Sequence, residues 1–234
     1  MHVLAINGSA RKNGNTALMI GYLFEELQAE EITTEMIQLA GEHPHGCIAC
    51  YQCFKNKNNR CVVDLDCLNG CIEKMIAADA IILASPTYFA DVTTEMKALI
   101  DRAGMVARAN GDLFRRKPGA AIVTRRRGGA IHAFDTMNHF FTIGQMITVG
   151  SSYWNMGVGR EKGEVADDAE GRTTMRDRGR NLAWLLGKLP AGLEPIDGPA
   201  PAPACAPDDA TCLQAQPVPA TGASTAARVA LARA

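Results

Sequence analysis

The sequence predicts an α/β protein built on a doubly wound, five-stranded parallel sheet, and two observations carry that expectation. Short, almost uninterrupted apolar runs alternate with longer segments of helical period through residue 189. Runs of that kind suit strands buried on both faces, which places helices above and below a parallel sheet. Val3 to Ile6 reads as the first strand and Ala17 to Ala29 as its helix. Met36 to Leu39 follows as a strand, then a helix over Leu68 to Ala77 and a strand over Ala80 to Ala84. A helix over Val92 to Ala107 leads to a strand at Ala120 to Thr124. The series closes with a helix over Ala130 to Gln145, a strand over Met146 to Gly150 and a helix from Thr174 to Leu189. Ligands of such sheets bind beyond the carboxyl ends of the strands, where the strand order reverses.

A chain of 234 residues, 47% hydrophobic and 21% charged, can bury one full core and carry an appendage. Residues 1–189 form the expected domain, with a cysteine-rich insertion at 41–66; residues 190–234, rich in Pro, Ala, Thr and Ser, read as a disordered tail. The net charge is −1 and the basic residues are scattered except at Arg125, Arg126 and Arg127, which argues against a nucleic-acid partner. No apolar run reaches membrane-spanning length, and Val3 follows too closely on Met1 for a signal peptide, so a cytoplasmic location is expected. In a reducing compartment the eight cysteines suit metal or redox work better than structural disulfides.

The segment Asn7 to Thr16 joins a strand to a helix, where backbone N–H groups and the helix dipole favour an anion. It lacks the glycine spacing of nucleoside-triphosphate and dinucleotide loops, so a single terminal phosphate suits it better. Ser9, Asn13, Asn15 and Thr16 are the candidate donors and Arg11 the compensating charge. An ordinary strand-to-helix turn with a capping residue is the alternative. Two further loops should reach the same edge. Ser85-Pro86-Thr87-Tyr88-Phe89 follows one strand and offers aromatic rings to a planar ligand; Thr124-Arg125-Arg126-Arg127-Gly128-Gly129 follows the next and allows close backbone approach.

The connection from Ala40 to Asp66 is too long for a structureless loop and needs something to order it. Within it stands C-x2-C-x2-C-x7-C, formed by Cys47, Cys50, Cys53 and Cys61. Three cysteines at this spacing match the ligation of a [4Fe–4S] cluster. Structural zinc usually draws on two separated knuckles and fits less well, and unligated buried or redox-active thiols remain open as well. Cys67 and Cys71 read as packing residues, His43 and His45 as loop residues, and Cys205 and Cys212 as incidental.

The run Gly8-Ser9-Ala10-Arg11-Lys12-Asn13-Gly14-Asn15-Thr16, taken with Ser85 to Phe89 and Asp91 to Arg102, resembles the NADPH-dependent FMN reductase and flavodoxin-like flavoprotein families. The cysteine motif at this point of such a domain resembles the iron–sulfur flavoproteins. The resemblance implies a flavodoxin-like sheet of order 2-1-3-4-5 and FMN bound by Ser9, Arg11, Asn13, Asn15 and Thr16 at its phosphate. It places Ser85, Pro86, Thr87, Tyr88 and Phe89 along the ribityl chain and ring, and Thr124, Arg125 and Gly128 at the pyrimidine edge. The three arginines there depart from the Gly/Ser-rich family form. It further implies a [4Fe–4S] cluster on Cys47, Cys50, Cys53 and Cys61, NAD(P)H as electron donor, small-molecule or protein redox partners, and a homodimer or homotetramer. The activity so implied is FMN-dependent oxidoreduction, converting two-electron into one-electron transfer. A metal-free NAD(P)H-dependent FMN or quinone reductase and a non-enzymatic redox sensor are the alternatives.

Overall fold

The computed structural model describes residues 1–189, so the expected tail lies outside the described residues. Strand β1 (His2–Asn7) leads through α1 (Asn15–Ala29) to β2 (Thr33–Gln38). The long connection carries one short helix, α2 (Gln52–Asn56), before α3 (Leu68–Ala77) and β3 (Ala80–Pro86). Then come α4 (Thr94–Ala109), β4 (Pro118–Arg125), α5 (Ala130–Ile143), β5 (Ile147–Thr148), β6 (Met156–Val158), a 3-10 turn at Glu164–Asp167 and α6 (Ala169–Leu186). The strands are parallel and ordered β2-β1-β3-β4-β5.

Alternation along the central strands builds the two layers. Val3 and Ala5 of β1, with Ile82 and Ala84 of β3, meet Leu23 of α1 and Leu182 of α6. Leu4, Ile6, Ile81 and Leu83 point the other way, onto α3, α4 and α5. Both faces are therefore dry, as the apolar runs require.

The outer edge differs from expectation. Among the described residues the sheet has six strands, because β5 holds only Ile147–Thr148 and β6 then takes up pairing with Val123 to Arg125 of β4. Asn155 bridges the gap: its side-chain N–H donates to the Ala121 carbonyl at 3.0 Å while its own carbonyl accepts from Val123 N–H at 2.9 Å. Helix α6 starts at Ala169 rather than Thr174, because Asp168 caps it by accepting from Gly171 N–H at 2.9 Å. Strand β2 starts at Thr33, ahead of the apolar residues, since an edge strand is only half covered. No helix among the described residues is long and apolar enough to cross a membrane.

Loops after β1, β3 and β4 leave the same edge of the sheet. At Gly8 a Cβ would lie 2.9 Å from both Met96 Cβ and Thr93 Oγ1, so the first loop runs against the start of α4 with no room for a side chain. Thr93 joins the two: its hydroxyl donates to the Gly8 carbonyl at 2.8 Å and accepts from Met96 N–H at 3.2 Å, capping α4.

Candidate functional site

The loop after β1 is shaped by its own polar side chains. Asn7 Oδ1 accepts from Ser9 N–H at 3.0 Å, and Ser9 Oγ accepts from Arg11 N–H at 3.2 Å. Gln38 of the neighbouring strand donates to the Ser9 carbonyl at 2.5 Å. Gly14 caps α1 with no side-chain acceptor and the first turn holds no acid, so the N–H groups at this helix start are left for another partner.

A cleft of about 190 Å³ opens here. Ser9, Arg11, Asn15 and Thr16 line it from the first loop, Pro86, Thr87 and Tyr88 from the second, and Thr124 and Arg125 from the third. Thr87 Oγ1 is buried there without a hydrogen-bond partner among the described residues. Such an orphan hydroxyl at a cleft wall suits a ligand oxygen. Four of the expected contact residues stand elsewhere. Asn13 is exposed in left-handed conformation, at φ 53°. Ser85 is buried and serves the loop itself, donating to the Pro86 carbonyl at 2.8 Å and accepting from Thr93 N–H at 3.1 Å. Phe89 stands fully exposed at the tip of the turn closed by Tyr88 and Asp91, and Gly128 faces open space.

Several of the lining side chains are already engaged. Asn15 donates to the Glu161 carbonyl at 2.9 Å and accepts from Gly163 N–H at 2.8 Å, tying α1 to the stretch after β6. The Thr16 and Thr124 hydroxyls bond one another at 2.8 Å, joining α1 to the end of β4. Arg11 donates to the Arg160 carbonyl at 2.8 Å. Gly129, at φ 87°, brings the third loop onto the second: a Cβ there would sit 3.1 Å from Thr87 Cγ2. Arg126 of the third loop lines the cleft as well, and so do Gly159 and Arg160, a contribution that sequence reasoning missed. Gly157-Val158-Gly159 was the available signal, but the strand before it is three residues long and shows no periodicity.

The cysteine connection is organised differently. Cys47, Cys50, Cys53 and Cys61 all border one small cavity of about 20 Å³, together with Ile48, Val62, Met105, Val106 and Arg102. Among the described residues no three His, Cys, Asp or Glu side chains converge as a single-ion site requires. Burial, reinforced by the neighbouring sulfurs of Cys61 and Cys50, pushes the Cys53 thiol above its usual pKa. Cys71 lies in the core with its thiol pushed up to about 12, mainly by burial, and Cys67 packs against the same core. Both behave as packing residues.

Polar side chains hold the 61–66 side of this loop. The buried Asn69 accepts from Cys61 N–H at 2.8 Å and donates to the Cys61 carbonyl at 3.0 Å and to Asp64 at 2.8 Å. Arg102 of α4 forms a fully buried ion pair with Asp66 at 2.5 Å. Its guanidinium also donates to the His45 carbonyl at 3.3 Å and the Val63 carbonyl at 2.5 Å, one on each side of the cysteine motif. Burial disfavours ionised Asp66, but hydrogen bonds from His45 N–H, Arg102 and Leu68 N–H hold its pKa below the usual range. The signal for Arg102 was an arginine on the buried stripe Ala98, Leu99, Arg102, Ala103, Val106 of an amphipathic helix.

A family model described as NADPH-dependent FMN reductase matches residues 1–161. An iron–sulfur flavoprotein of Methanocaldococcus jannaschii is 34% identical over 193 residues, covering 80% of this chain and 97% of that protein. One from Methanosarcina thermophila is 31% identical over 188 residues, covering 80% and 95%. A flavodoxin-type, WrbA-like protein of Agrobacterium tumefaciens has the same fold, with a TM-score of 0.55 at 16% identity over 80% of this chain and 98% of that one.

Proposed function

The chain belongs to the NADPH-dependent FMN reductase family and is an FMN-dependent oxidoreductase; from that premise we propose that it is of the iron–sulfur type, linking a two-electron donor such as NAD(P)H to a one-electron acceptor. The residues of the cleft fit FMN. The uncapped start of α1 with Ser9 and Arg11 suits the phosphate, the orphan Thr87 hydroxyl suits a ligand oxygen, and Tyr88 offers an aromatic wall. Arg125 and Arg126 place positive charge at the same cleft, where it favours a reduced, anionic ring. Bound FMN supplies the chemistry of taking electrons in pairs and releasing them singly.

The observation that carries the iron–sulfur reading is that the four cysteines of C-x2-C-x2-C-x7-C border one cavity. Three of them stand at the spacing of [4Fe–4S] ligation, whereas structural zinc usually draws on two separated knuckles. The relatives named above as iron–sulfur flavoproteins agree with this.

The electrons are passed to small-molecule or protein partners, and two copies of the chain work together. Arg102 and Met105 lie nine and twelve residues along α4 from Thr93, which abuts the phosphate loop, so about 14–18 Å of helix separates those levels within one chain. Ile48, Tyr51 and Val62 expose apolar surface around the cysteine cavity, and Phe89 does so beside the cleft. Apolar surface at both places suits a second copy that brings one chain's cysteines to the other's flavin.

Anaerobic purification followed by flavin, iron, sulfide and zinc analysis tests the reading. It expects one FMN with about four iron and four sulfide per chain. Stoichiometric zinc, or FMN with no metal, would replace it by a metal-free NAD(P)H-dependent reductase.

A further inference from the structure

We propose that Arg102 tunes the reduction potential of the centre held by the cysteine loop, with Asp66 as its counter-charge; this rests on the iron–sulfur reading above. Arg102 is the charged side chain bordering the cavity shared by Cys47, Cys50, Cys53 and Cys61. Its Nε is buried and has no acceptor among the described residues. Asp66 does not line that cavity; it sits behind the guanidinium, bonded to His45 N–H at 2.8 Å and Leu68 N–H at 3.1 Å. The pair is thus a fixed dipole with its positive end on the cysteine side.

A guanidinium keeps its charge at every accessible pH and donates in fixed directions. Beside a cage of thiolates and sulfides it would stabilise added negative charge, and hydrogen bonds to sulfur together with local charge set cluster potentials. A latching role accounts for the bonds to the His45 and Val63 carbonyls but not for the guanidinium's place on the wall of the cysteine cavity.

The test uses full-length protein prepared anaerobically, with Arg102→Gln, Arg102→Lys and Asp66→Asn variants. Each is analysed for iron and sulfide, titrated with EPR detection of the cluster and optical detection of FMN, and followed by hydrogen exchange over residues 45–66. Loss of positive charge in Arg102→Gln should lower the cluster potential. Loss of the counter-charge in Asp66→Asn should raise it. Arg102→Lys should move it little while loosening the loop, and the FMN potential should stay in place throughout. Opposite shifts from the two charge changes support the proposal. Faster exchange with no shift, or shifts of the same sign, would reduce Arg102 to a structural latch. Where Arg102→Gln fails to retain iron, Asp66→Asn against Arg102→Lys decides by the same signs. Wild-type protein lacking iron and sulfide would overturn the iron–sulfur reading and this proposal together, whereas a fully loaded protein with unmoved potentials would overturn the role of Arg102 alone.

Discussion

At the flavin cleft the main chain supplies most of the site: three parallel strands end together, α1 starts uncapped, and Gly8 and Gly129 let loops touch. The cysteine loop holds no strand and only the five-residue α2 between β2 and α3, and its backbone passes through left-handed conformations at Ala49, Tyr51, Lys57 and Asn59. Its order comes instead from side chains reaching in from outside it, chiefly Asn69 and Arg102, with Asn110 accepting from Asn59 N–H at 3.1 Å. A cofactor pocket built from backbone inherits the stability of the sheet. A loop held by a few polar contacts has only those contacts, plus whatever its ligand contributes.

Removing Asn69 should separate the two regions most sharply. Asn69→Ala strands the buried hydrogen-bonding groups of Cys61, an effect of about 2–3 kcal/mol on the loop. Hydrogen exchange over residues 60–66 should accelerate strongly while FMN content is unchanged; loss of FMN would show that the cleft depends on the loop. On the other side, Arg11→Ala should weaken FMN about tenfold to a hundredfold, the scale of a charge-assisted contact, and riboflavin much less. Equal weakening in parallel titrations would take Arg11 away from the phosphate.

The smallest effect concerns a second buried arginine. Arg178 on α6 has no charge partner among the described residues, and burial alone pushes its pKa down to about 10. Unlike Arg102 it forms no ion pair among the described residues, so Arg178→Leu should raise stability by about 1 kcal/mol in thermal unfolding. A drop would mean that its charge is compensated and that the contrast with Arg102 is false.

The backbone-built region was the more legible in sequence. Val3 to Ile6 and Ala80 to Ala84 are local apolar runs, and the residues between strand and helix announce their own turns, so Ser9, Arg11, Thr87, Tyr88 and Arg125 could be named beforehand as neighbours. The engagement of Asn15 with residues 161–163 could not, because it depends on a contact almost 150 positions away. The outer edge also escaped, since β6 is three residues long and Asn155 mends the sheet through a side chain. In the cysteine region the spacing of Cys47, Cys50, Cys53 and Cys61 was visible, but the anchors were not. Asn69 and Arg102 lie on helices outside the motif, where only their presence on buried faces sets them apart.

In the proposed function a flavin served by the sheet edge and a metal centre on the cysteine loop, brought together by two copies of the chain, let electrons arriving in pairs leave singly. Cys50→Ala tests it most directly, because Cys50 borders the cysteine cavity and lines no part of the flavin cleft. Anaerobically prepared variant and wild type are compared for FMN reduction by NAD(P)H and for turnover with a one-electron acceptor. The account expects the variant to lose its iron and its one-electron turnover while keeping FMN and its reduction by NAD(P)H. Undiminished one-electron turnover in the variant would contradict it.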